Sequence, residues 1–147
     1  MSTWRARVSD DGGSAVIEFS WLAILLLIPL IYLVLCLARL QAGSYAVTQA
    51  ARESARAFVT AEDDESARAR SHTAAEIAFA DQGFDGQGQL GLACTASPCL
   101  SPGASVTTRA AVAVPLPLAP AFLADVVPLQ IPVSATQVAP VPEYEAR

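Results

Sequence analysis

From residue 19 to residue 38 the chain carries twenty residues without a charge. At about 1.5 Å per residue, a helix of that length reaches about 30 Å, the thickness of a bilayer's hydrocarbon region. Its centre, ILLLIPLIYLVL, is apolar all round, whereas a soluble helix keeps one polar face. The run predicts a transmembrane helix rather than a buried core helix. Only the 109 residues after Ala38, of 147 in all, remain to build a water-exposed domain, enough for a small one with a modest core.

A removable secretory signal is the competing use of such a run. Arg5 and Arg7 supply a basic start, and Cys36 and Ala38 supply small residues ahead of a cut before Arg39. The run is longer than the usual apolar stretch of about 7–15 residues, which favours a retained anchor. Flanking charge does not orient it, since Arg5 and Arg7 stand against Asp10 and Asp11 on one side, and Arg39, Arg52 and Arg56 follow on the other.

Three cysteines fall into two groups. Cys36 lies inside the apolar run and reads as a small hydrophobe. Cys94 and Cys99 bracket CTASPC, where Pro98 favours a turn, and they either close a small disulfide loop or remain two free thiols. A disulfide needs an oxidising compartment, which with the short N-terminus favours a cytoplasmic N-terminus and an extracytoplasmic C-terminal part.

The chemistry of binding and catalysis is thinly represented. The net charge is -5 with no lysine, which gives no basic surface for nucleic acid. The chain lacks dinucleotide, P-loop, zinc-protease and nucleophile-elbow motifs, so neither an enzyme nor a bound cofactor is expected. The only histidine, His72, sits in a polar Ser-His-Thr segment and reads as solvated. The cysteine spacing is wrong for zinc. Asp81 and Asp85 in a glycine loop are a weak hint of a cation site, without an EF-hand pattern.

Beyond the apolar run, residues 39–60 contain one glycine, Gly43, and no proline, and are rich in Ala, Gln, Arg and Glu. They predict a continuation of the membrane helix into water. Ala50, Ala51, Ser54, Ala57 and Phe58 form a small-residue stripe, with Arg52, Glu53 and Arg56 outside it. The stripe either admits another helix closely or packs on its own domain. A second helix is expected over 66–79, capped by Thr60 or Asp63 and helped by an Asp64–Arg68 pair. Four glycines in residues 81–91 predict a flexible loop. Val106, Thr108, Ala110, Val112 and Val114 alternate as one face of a strand stopped by Pro115, Pro117 and Pro120. LQIPVSATQVAP is a poorer strand, interrupted by Pro132; FLADVV between the two is a short helix or a loop. The expected class is α+β, with a hairpin or small sheet packed against the long helix and a loose tail after Pro140 and Pro142.

One carboxylate stands out. Glu18 directly precedes the charge-free run, where it is either an ordinary interfacial residue or one side of a pair with a neighbouring chain. The stretch Gly13-Ser14-Ala15-Val16-Ile17-Glu18-Phe19 with its apolar helix resembles the processing site of type IV prepilins. More closely it resembles the TadE-like pseudopilins of tight-adherence (Flp-type) pilus systems. AVTQAARESARA and IPVSATQV are similar to that family's helical extension and C-terminal strand. The resemblance implies cleavage between Gly13 and Ser14, making Glu18 the fifth mature residue; a cut after Gly12 would make it the sixth. It implies that Glu18 pairs with a neighbour's new amino terminus, that Phe19 is the family's following aromatic, and that Pro29 lets the helix bend into a bundle. It also implies a bacterial cell-membrane location and four partners: a prepilin peptidase, a major pilin, a second pseudopilin and a polytopic platform protein. The expected organisation is a leader over 1–13, a pilin-like transmembrane helix over 14–38 and a helical extension with second helix over 39–80. A glycine-rich loop with the candidate disulfide follows over 81–105, then a strand-rich region and tail over 106–147. The rival expectation is a membrane-anchored extracytoplasmic binding module unrelated to pili.

Overall fold

The computed structural model describes residues 12–117 and 129–143, with side chains from Val16 onward. FLADVV and the last four residues of the tail lie outside these. Helix α1 runs Gly12–Val59, 48 residues, and its hydrogen-bonded pattern continues past Pro29. Helix α2 spans Asp64–Asp81. Three strands follow, β1 Gln89–Cys94, β2 Ser105–Pro115 and β3 Gln130–Pro140, forming one antiparallel sheet in the order β1-β2-β3. The chain divides into two units, Met1–Leu35 and Cys36–Arg147.

In the first unit, every side chain from Val16 to Leu35 is exposed. α1 is the one described helix long and apolar enough to cross a membrane, consistent with a single-pass topology.

The second unit is a two-layer α+β domain. The part of α1 after Cys36 and the buried face of α2, Ala67, Ala75, Ala78 and Phe79, share their apolar clusters with the sheet. Ala46, Val47, Ala50 and Ala51 of α1 meet Ala110, Val112 and Val114 of β2 in one buried cluster. Phe58, Ala67, Leu100, Val106 and Val141 form a second. The alternating face expected for β2 is the buried one, from Val106 through Val114. Of the small-residue stripe, Ala50, Ala51, Ser54 and Phe58 are fully buried and Ala57 is half-buried. The stripe is thus consumed within the domain: Ser71 of α2 donates from Oγ to the Ser54 carbonyl at 2.8 Å, and Thr108 of β2 donates to the Ala51 carbonyl at 2.7 Å. Small side chains let α1 approach both neighbours. At Gly43 an added Cβ would overlap Val114 Cγ2, and at Gly88 it would overlap the Phe79 ring.

Three sequence expectations are corrected. The 81–105 segment is not a loop throughout. Leu90, Leu92 and Cys94 alternate inward on β1, a signal masked by the surrounding glycines. Pro132 does not interrupt β3. Leu116 N–H donates to the Leu129 carbonyl and Val141 N–H to the Ala104 carbonyl, so the odd-numbered residues of β3 bond to β2 through an unbroken register. Pro132 and Pro140 are even-numbered and face the outer edge, where a missing N–H costs the ladder nothing. Finally, Asp64 does not pair with Arg68, because its carboxylate turns to the disulfide loop.

Candidate functional site

The N-terminal motif opens α1. Gly13 and Ser14 lie in its first turn, and Glu18 lies one turn beyond Ser14 on the same side of the helix. Phe19 is 72% exposed and Trp21 69%. Ser20 Oγ donates to the Val16 carbonyl at 2.7 Å, which ties down the turn that carries Glu18. Pro29 lies eleven residues on, about 16 Å along the axis. Glu18 has no ion-pair partner among the described residues. This array is an exposed apolar helix with one carboxylate, Glu18, near its start.

In the second unit, Cys94 and Cys99 form a disulfide with their Cα atoms 5.3 Å apart. The loop between them contains a cis Ser97–Pro98 bond. The loop is latched to the head of α2. Asp64 accepts from the backbone N–H of Cys99 at 2.9 Å and of Leu100 at 3.2 Å. Arg68 Nη2 lies 3.9 Å from Cys99 Sγ, and both Cys99 and Leu100 are buried. The neighbouring Asp63 is the N-cap: its Oδ1 accepts from Ser66 N–H at 2.8 Å and Glu65 N–H at 2.9 Å. Its bond to the Ser66 N–H, followed by the Ser66 side chain and the Glu65 N–H, holds its carboxyl below the ordinary value. The acidic run therefore has local work: one carboxylate caps a helix and the next holds a disulfide loop.

The remaining titratable groups do not converge. His72 is exposed, as its polar setting implies, and no cluster of metal-ligating side chains occurs among the described residues. Asp81 and Asp85 are both exposed. Cys36 is a free, half-buried thiol.

Sequence reading missed one surface. Arg52 and Arg56 of α1 and Gln137, Ala139 and Pro140 of β3 line an open cavity of about 530 Å³. The two arginines were legible only as residues outside the small-residue stripe. Their placement beside a strand edge depends on a register that no local pattern reveals.

No protein-family model, no curated protein and no solved structure matches the chain.

Proposed function

We propose that this chain is a minor pseudopilin or assembly component of a tight-adherence, type IV-like pilus. It would sit as a single-pass protein in the bacterial cell membrane, with a cytoplasmic N-terminus and an extracytoplasmic C-terminal domain. The observation that carries the reading is the sequence GSAVIEF at the head of an uninterrupted 48-residue helix, apolar and exposed first, then built into a small domain. The disulfide adds support for orientation, since such a bond persists in an oxidising compartment.

In this role a prepilin peptidase cuts between Gly13 and Ser14. Glu18 then faces the new amino terminus of a neighbouring subunit, a pair strengthened where water is scarce. An unpaired carboxylate there is costly, so the pair sets register. Phe19 packs beside it, and Pro29 gives the helix a point at which to bend. Major pilins, a second pseudopilin and a polytopic platform protein are the partners.

Glu18→Ala tests this role. The variant is expected to enter the membrane as the native chain does and to lose pilus formation or cross-linking to its neighbours. Native-level assembly by the variant would instead favour a membrane-anchored binding module.

A further inference from the structure

The groove beside β3 combines three features that together define a ligand. The first is a free strand edge. β3 is the last strand of the sheet, and among the described residues nothing pairs with its outer side. Its ladder to β2 uses the odd-numbered residues, so the N–H groups of Ser134, Thr136 and Val138 point outward. Pro132 and Pro140 bound this window and limit pairing to about five residues. Nothing from Gln130 to Pro140 is charged, so charge does not protect the edge. The outward Val138 carbonyl accepts from the Gln137 side-chain amide at 3.1 Å, a bond within the same strand that an incoming N–H can replace.

The second feature is charge. Arg52 and Arg56 are exposed and lie on the same side of α1, and neither guanidinium has a hydrogen-bond or ion-pair partner among the described residues. Arg39, Arg68 and Arg70, by contrast, contact the Phe84 ring, Cys99 Sγ and the Thr60 carbonyl.

The third feature is alignment. Gly43 of α1 lies against Val114 and Ala51 against Thr108, so α1 runs antiparallel to β2 and hence along β3. Arg52 and Arg56 are about 6 Å apart along the helix axis. Alternate residues of an extended strand repeat at about 6.7 Å, so two same-face carboxylates on an added strand match the two guanidiniums.

We propose that this groove binds an extended acidic segment of a partner protein by strand addition. The segment pairs with the backbone at 134–138 and sets acidic residues at i and i+2 on Arg52 and Arg56. The inference concerns the domain after Cys36 and does not depend on the fate of the Gly13–Ser14 bond.

The test uses the full chain in detergent micelles and a fluorescein-labelled peptide of alternating valine and glutamate, read by anisotropy. Saturable binding is expected, weakened about tenfold by R52A/R56A and by raised salt. Thr136→Pro should abolish it while leaving the fold intact, because position 136 faces outward like Pro132 and Pro140. R52E/R56E, which disturbs no backbone, should switch preference to the valine–lysine peptide. Absence of saturable binding by the native chain, native-like binding by folded Thr136→Pro, or no switch in R52E/R56E would each overturn the proposal.

Discussion

At Gly43 two effects of known size oppose one another. Replacing a helical glycine by alanine gains up to about 1 kcal/mol of helix propensity. Here the new Cβ would overlap Val114 Cγ2, a buried and β-branched side chain with little freedom to move. Overpacking costs about 1–3 kcal/mol, so Gly43→Ala should lower stability in a denaturant melt. Gly91→Ala is the control, since its Cβ would meet only the Arg109 carbonyl at 3.8 Å and should be close to neutral. Thr108→Val keeps shape and removes the buried bond to Ala51; a loss of about 1 kcal/mol is expected. These positions were only half legible. The alternation from Val106 to Val114 announces a buried face, but nothing local says that Thr108 on that face reaches a helix carbonyl, or that Gly43 marks a close crossing.

Among elements, α2 and the disulfide loop act as one device, joined by adjacent carboxylates. Asp63 has a lowered folded pKa. Its capping contribution is therefore complete above the ordinary carboxylate value and is lost as pH falls through the lowered folded value. Asp63→Asn should keep the cap and flatten the acid side of the stability profile below about pH 4, measured by thermal melts across pH. The disulfide closes a short loop with a sequence separation of 5, for which chain entropy gives about 2 kcal/mol. Cys94→Ser/Cys99→Ser should be destabilised by that amount, and the native protein should resist thiol labelling at both positions until reduced. The cysteine pair and the Asp63 cap were readable because their signals are local. β1 was not, because its glycines outweighed the Leu90–Leu92–Cys94 alternation. Nor was the passage of β3 through Pro132, since the cost of a strand proline depends on which edge it faces.

On the scale of the whole molecule, the division of labour follows from hydropathy. The apolar half of α1 stays exposed from Val16 to Leu35, and the small-residue half is the spine of the α+β domain. Hydropathy and helix propensity predict both halves, and the alternation along β2 predicts a hairpin or small sheet, which has three strands. The function proposed for this architecture rests on the residues before the apolar run, and above all on the position of Glu18 relative to the amino terminus that the proposed cleavage would create. The most direct measurement is the mass and N-terminal sequence of the protein extracted from membranes of its own host. A chain beginning at Ser14, with Glu18 fifth, is the predicted result. A chain that keeps Met1, begins at Gly13, or begins at Arg39 after removal of the whole apolar run would contradict it.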